Sequence, residues 1–352
     1  NEEKKTNSKI KVSDFITYDS KKITWDSRKL KGGIEKNHIK NFTPQDIRIG
    51  FYRPFCKQHI YFNKELCHSL FLQPNYFPTP NIDNKVISVS GAGMKKGFSV
   101  IVSSAVQDLQ FQSNGLHFPL YYYEEKEQVQ GSLFDAASES KYIRRDGVSD
   151  FIWERAKKQY GKSVTKEDIF YYVYGMLHSP DYRETFANDL KKMLPRIPLV
   201  DKPKDFWSFS KAGRQLAELH INYETVEAYN GVEVQMPEDK LKMDAYEFYS
   251  VAKLRFPKKD QKETIIYNSR IKINNIPEKA YQYVVNGKSA IEWIMDRYQV
   301  KVDKKSGIKN DPNDWSKEVE NPSYILDLIL SIINVSVQTV DIVNELPKLE
   351  FD

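Results

Sequence analysis

The chain has 352 residues, enough for about two ordinary domains and a substantial core. Hydrophobic residues make up 40% and charged residues 29%, which excludes a disordered or low-complexity chain, and 22 Tyr with 19 Phe make it unusually aromatic. The net charge is only +5 but is unevenly spread: residues 1–60 hold 14 Lys/Arg against 7 Asp/Glu, 251–288 hold 9 against 3, and 311–352 hold 2 against 9. Two basic segments in an aromatic chain point to a polyanionic partner, because Lys and Arg neutralise phosphates and rings stack on bases.

Residues 1–48 read as a basic, polar lead-in with one strand or short helix at 21–25 and a turn at Gly32 and Gly33. The start NEEKKTNSKIKVSDF lacks the apolar stretch of a signal peptide, and no later run is read as long enough to span a bilayer, so no membrane association is expected. The first residue is Asn rather than Met, which points to a piece of a longer polypeptide. From Ile49 the pattern changes to short β-type runs, GFYRPF, HIYFN, VISVSG, FSVIVSS and LHFPLYYY, bounded by turn residues and prolines. Cys56 and Cys67 have no CxxC spacing and no His at ligand distance, which argues against a disulfide framework or a zinc site and fits a reducing, cytoplasmic compartment.

The polar stretch 128–142 reads as a loop, after which the period turns helical. Asp150 can cap a first helix, Thr165-x-x-Asp168 is a capping-box start for IFYYVYGMLHS, SPDYRETFANDLKKML predicts a helix ending at Pro195, and SFSKAGRQLAELHINYE predicts another. From Gly231 alternation returns in VEVQM, YSVAKLRF and ETIIYNSRIKIN, with KKDQK as the connection between the last two. Helices at SAIEWIMDRYQV and from Tyr324 onward close the chain. The expected fold is mixed α/β (α+β): a β-rich part at 49–130, a helical part at 140–230, and antiparallel strands followed by helices at 231–352.

Three strings invite an enzymatic reading. The turn SGAGMKKG (Gly91, Gly93 and Gly97) follows a strand, as phosphate-binding turns do, but no Lys-Ser/Thr follows it, its spacing misses GxGxxG, and a second β run replaces the helix such turns open. Asn321-Pro322-Ser323-Tyr324 resembles the NPPY motif that holds a flipped adenine, yet a long apolar helix follows it, so Asn321 and Pro322 suit the cap and first residue of that helix. No GxSxG elbow surrounds Ser103 or Ser104, and His178 and His220 close helical patterns, where a cationic or hydrogen-bonding cap is the ordinary role. No catalytic residue, cofactor site or metal site is assigned.

The strings YRPF, VSGAGMKKGFSVIVSS, HFPLYYYE, DIFYYVYGMLHSPDYRETFANDLKKMLPRIPL, GRQLAELHINYE, IIYNSRIKI and SAIEWIMDRYQVKVDKKSGIKNDPNDW occur in that order. Together they resemble the C-terminal target-recognition domain of Type ISP single-polypeptide restriction-modification enzymes, over nearly all of the chain after about residue 45. The resemblance implies a DNA-reading module that directs adenine methylation and cleavage. The nuclease, ATP-driven translocase and adenine-N6 methyltransferase, with S-adenosylmethionine, ATP and Mg, would lie upstream, and residues 1–48 would close the methyltransferase.

Double-stranded DNA and that upstream methyltransferase are the expected partners. The phosphate-contact candidates are Lys95 and Lys96 in the glycine turn, Lys258 and Lys259 in KKDQK, and Lys301, Lys304, Lys305 and Lys309 between the last two helices. Arg53, Gln112, Asn114, Asn268 and Arg270, at expected strand ends or loops, are the base-reading candidates. Two other functions stay open at this level: a scaffold that docks the methyltransferase through its aromatic surface, and a free-standing enzyme that uses the glycine turn for a nucleotide.

Overall fold

A computed structural model describes residues 41–64, 66–67, 69–93, 96–126, 141–237, 243–305 and 307–351, with short pieces at 6–7, 9–11, 32–33 and 36. The expected element at 21–25 and most of the expected loop at 128–142 lie outside the described residues. The chain is mixed α/β, with several small sheets instead of one large one.

The N-terminal part begins with a hairpin of β1 (Ile47–Arg53) and β2 (Cys56–Tyr61), followed by the short α1 (Gln73–Tyr76). Strands β3 (Val86–Val89), β4 (Val100–Ser103), β5 (Val106–Gln107), β6 (Leu116–Pro119), β7 (Tyr121–Glu125) and β8 (Tyr142–Asp146) follow. β5 adds to β1 in parallel, while β3 lies between β4 and β6 with both pairings antiparallel, Val89 opposite Val100 and Leu116. All four residues of β3 and of β4 are buried, which is why their sequences read as unbroken apolar runs. Ile87, Val89, Val100 and Val102 enter a core shared with the helices, whereas Ile101 enters a second core built mostly from the last hundred residues.

The helical part contains α2 (Asp150–Tyr160), α3 (Lys166–Met176), α4 (Pro180–Thr185) and α5 (Pro203–Ile221). Ser149, not Asp150, caps α2, and the capping box of Thr165 and Asp168 forms on α3 as expected. Helices α3 and α5 cross at glycines: a Cβ on Gly213 would stand 1.9 Å from the Tyr171 carbonyl, and one on Gly175 would stand 2.2 Å from the Phe209 carbonyl, so no side chain fits at either. The helix expected to run to Pro195 stops at Thr185. Beyond it the chain forms irregular turns, the Lys191 carbonyl is taken by the Gly93 N–H at 2.7 Å, and the Tyr182 hydroxyl holds the Arg196 carbonyl at 3.0 Å.

The C-terminal part comprises β9 (Glu233–Gln235), α6 (Ala245–Phe248), β10 (Ile265–Ile266), β11 (Lys272–Asn274), β12 (Val284–Val285), β13 (Lys288–Ser289), α7 (Ala290–Arg297), β14 (Lys301–Val302), β15 (Lys309–Asn310), α8 (Asn313–Glu318) and α9 (Tyr324–Asn344). The run YSVAKLRF is not a strand. It is irregular apart from one bridge, Arg255 to Ile266, and ETIIYNSRIKIN instead folds back on itself as β10–β11, with β9 on its other edge.

Helix α9 has 21 residues and an 18-residue stretch with a mean hydropathy of 1.7, long and apolar enough to cross a bilayer by length and composition, contrary to the expectation from the sequence. It is a core helix here: Ile325, Leu328, Ile329, Ile332 and Ile333 fill the second core, and Leu346 just beyond it reaches the first. Its start also differs from expectation. Ser323 is the cap, and the Asn321 carboxamide accepts the Ser323 N–H and donates to Asp327, each at 3.0 Å.

A buried polar chain ties these parts together. The Tyr174 hydroxyl accepts the Val102 N–H at 3.1 Å, so its own proton faces His220 Nδ1, 2.6 Å away. His220 Nε2 must then carry the proton it gives Thr339 Oγ1 at 3.0 Å, and Thr339 donates to the Val335 carbonyl at 2.7 Å. The imidazole is thereby held neutral, and burial pushes its pKa down to about 3. His178 does bond a last-turn carbonyl, that of Tyr174 at 2.9 Å, but burial and then the Arg183 charge keep it well below its ordinary value too, so neither histidine is a cationic cap.

An imidazole with a folded pKa near 3 takes up a proton on unfolding at any pH between about 3 and 6.5, so the stability it contributes is present above pH 6.5 and is lost as pH falls. Urea midpoints should fall between pH 6.5 and 5 with a limiting contribution from His220 of about 1.4 kcal/mol per pH unit. His220→Gln should be less stable at pH 7.5 and should show a slope shallower by up to one proton; an unchanged slope would contradict the neutral assignment.

Candidate nucleic-acid interface

Three surface turns meet where β4 begins. The loop joining β3 to β4 is closed by Ser99 N–H donating to Ser90 Oγ at 3.0 Å, and Gly91 N–H donates to the Ser113 carbonyl at 3.2 Å. A Cβ on Gly91 would stand 2.2 Å from the Asn114 carbonyl, so glycine is required there for the two loops to touch. The third turn joins β12 to β13 through Asn286 and Gly287, with φ of 50° and 73°, the pair that a two-residue primed hairpin turn demands. Asn286 is buried, its N–H donating to Ser99 Oγ and its carboxamide to the Phe111 carbonyl, both at 3.0 Å. The Lys96 side chain lies along this turn, 3.2 Å from where a Cβ of Gly287 would be.

Lys288, the next residue, begins a cationic cluster. Its Nζ is 2.6 Å from Asp296 Oδ2, which Arg297 Nη2 also reaches at 2.5 Å, while Lys301 Nζ is 3.4 Å from Oδ1. Burial alone would raise the Asp296 carboxyl, but the hydrogen bonds from Lys288 and Arg297 hold it well below the usual carboxylate range. Three cations therefore share one permanent anion. Lys301 leads into the β14–β15 ribbon, where Lys304 and Lys305 are exposed at the end and Lys309 pairs with Asp311 at 2.7 Å. From Lys288 to Lys309 the chain carries six Lys/Arg against three Asp/Glu. Beside the foot of the ribbon is a cleft of about 280 Å³ lined by Gln58, His59, Arg297, Gln299, Asn310 and Trp315.

Lys96, Asn114, Lys301, Lys304, Lys305 and Lys309 thus fall on connected elements, and Lys95 lies outside the described residues. Lys258 and Lys259 are exposed in a turn whose neighbour Lys262 is held to Glu292 of α7 at 3.0 Å. The other candidates are engaged elsewhere. Gln112 is wholly buried, with its amide near the Ser88 carbonyl and Ser99 Oγ at 3.5 and 3.4 Å, and so presents nothing at the surface. Asn268 builds the β10–β11 turn: its oxygen accepts the Arg270 and Ile271 N–H groups at 2.8 and 2.9 Å, and its amide donates to the Phe248 and Ser250 carbonyls. Arg53 lies over the Tyr52 ring at 4.0 Å and pairs with Asp108 at 2.5 Å, and half-buried Arg270 stands 3.9 Å from Glu247. Among the described residues, no group of three or more His, Cys, Asp and Glu is placed to hold a metal ion.

Residues 2–328 match the model of the Type ISP C-terminal specificity domain. The chain belongs to this family. Three solved structures resemble the specificity domain over more than nine-tenths of its length. The ATP-dependent Type ISP restriction-modification enzyme LlaBIII bound to DNA is 36% identical with a TM-score of 0.81, over 94% of this chain and 20% of that one. A nuclease-deletion mutant of the Type ISP enzyme LlaGI in complex with a DNA substrate mimic is 39% identical with a TM-score of 0.78, over 97% and 24%. A DrdV–DNA complex is 27% identical with a TM-score of 0.75, over 92% and 30%. The specificity domain therefore spans a fifth to under a third of these polypeptides. No curated protein matches the sequence.

Lys288 and Arg297 were not among the residues picked from the sequence. An Asn-Gly pair between short β runs and a basic residue in the last helical turn are both local signals that could have marked them. Asn286 is the testable joint of the site. Replacing it with Ala removes a buried bond and puts a Cβ-bearing, non-Asn residue at positive φ, which should cost about 2 kcal/mol in urea unfolding. Asn286→Gly keeps the backbone unstrained and should cost about half as much; equal losses would mean that the backbone conformation contributes nothing.

Proposed function

We propose that this specificity domain reads a target sequence in double-stranded DNA for a Type ISP restriction-modification polypeptide. The observation that carries the reading is the cationic surface running from Lys96 along the Asn286 turn to the Asp296 cluster and the lysine ribbon, on a fold whose solved relatives are DNA complexes. Phosphates meeting Lys96, Lys288, Lys301, Lys304, Lys305 and Lys309 would set position and affinity, and exposed polar groups such as Asn114 would face base edges. Lys258 and Lys259 would extend the basic surface through the turn tied to α7. Gln112 and Asn268 would act only indirectly, by shaping the loops that carry the contacts.

The chemistry would lie elsewhere in the polypeptide: cleavage, ATP-driven translocation and adenine-N6 methylation with S-adenosylmethionine, ATP and Mg, in a cytoplasmic enzyme. Exposed apolar side chains support contact with the upstream methyltransferase, for Phe42, Phe71 and Leu72 are 68%, 73% and 61% exposed.

Fluorescence anisotropy of the full chain against a randomised duplex pool at low and moderate salt tests this reading. Binding should be salt-sensitive and should enrich a short asymmetric site. Lys304→Gln with Lys305→Gln should weaken binding to all sequences alike and lower the salt slope by about two. Binding indifferent to both salt and sequence would overturn the reading.

A further inference from the structure

The β14–β15 ribbon differs from the other described strands. All four of its paired residues, Lys301, Val302, Lys309 and Asn310, are exposed, whereas every other described strand has at least one buried or half-buried residue. Val302 is 59% exposed and Ile308 is 50% exposed. Val302 stands opposite Lys309, and the Asp303 N–H donates to the Ile308 carbonyl at 2.9 Å. Facing residues of an antiparallel pair point the same way and successive ones alternate. One face thus shows Val302 with Lys309, and the other shows Ile308 with Lys301 and Asn310. Among the described residues neither Val302 nor Ile308 belongs to a hydrophobic core, and a lone two-stranded ribbon is marginal in water.

A partner that covers such a ribbon must accept apolar contact on the face it meets and positive charge along the edges and tip. A protein core supplies the first without the second, and a bare phosphate surface supplies the second without the first. The major groove supplies both: it admits a two-stranded ribbon, is walled by phosphates, and exposes the C5-methyl groups of thymine to apolar side chains.

We propose that the β14–β15 ribbon enters the major groove with one face against the base edges, where the apolar residue of that face, Val302 or Ile308, recognises a thymine methyl group while the flanking lysines grip the phosphate walls. This rests on the DNA-reading function proposed above and names the element that confers part of the specificity.

The test is selection from a randomised duplex pool by the full chain and by a Val302→Ser, Ile308→Ser variant. The wild-type site should contain thymine at one or two positions where the variant's site shows no preference. Replacing those thymines with deoxyuridine, which removes only the methyl, should weaken wild-type binding about fourfold per methyl and leave the variant unaffected. The salt slope should stay unchanged in both. Val302→Ile with Ile308→Val should retain the thymine preference, which separates lost recognition from a lost fold. A wild-type site without thymine, equal deoxyuridine effects on both proteins, or a variant that selects the same site overturns the proposal; any of these would point to the ribbon packing on protein instead. Failure of the wild-type chain to enrich any site would instead sink the DNA-reading function itself.

Discussion

The cationic surface proposed to meet DNA depends on a buried joint, Asn286 between Ser99 and Phe111. Two side chains and one backbone conformation do the positioning. Ser99 Oγ accepts the Asn286 N–H, the Asn286 amide holds the Phe111 carbonyl, and the left-handed backbone at Asn286 and Gly287 turns the chain within two residues. Ser99 belongs to the glycine loop and Phe111 to the segment leading to Asn114, so this asparagine fastens two N-terminal loops to the C-terminal part. It helps to fix where Lys96 and Asn114 stand relative to Lys288 and the ribbon.

A second buried connection works from the other side of β4. Val102, Tyr174, His220 and Thr339 form a continuous chain of donors and acceptors through strand, two helices and the closing helix, with the His220 ring stacked on Tyr283 at 4.7 Å. Every polar atom along it has one orientation that satisfies its neighbour. Such a chain specifies packing more sharply than apolar contact, because a shifted helix would leave a buried donor or acceptor unsatisfied. β4 is thus held on one face by the helical core and on the other by the C-terminal core, and the loop that precedes it inherits that rigidity.

Much of the architecture was legible. The runs VISVSG and FSVIVSS were legible as strands, Thr165-x-x-Asp168 marked a helix start correctly, and the ordered strings pointed to the family that the domain model confirms. The errors have physical causes. SPDYRETFANDLKKML has a helical period, yet its Lys191 carbonyl is bonded to Gly93 across the structure. YSVAKLRF alternates like a strand, but the carbonyls of Phe248 and Ser250 are bonded by Asn268, twenty and eighteen residues away. Polar type did not separate Gln112 and Asn268, which are structural, from Asn114, which is exposed.

By itself the sequence determined the class of the fold, the places of most helices and strands and the basic character of two segments, because each of these is written in local period, capping residues and charge, and its ordered strings pointed to the family. Only the tertiary structure decided which cations share a surface. Lys96 and Lys288 are far apart in sequence and are joined by a turn whose docking depends on bonds to Ser99 and Phe111. It also decided that α9, apolar enough for a membrane, is a core helix, since burial depends on what surrounds a helix as well as on its composition.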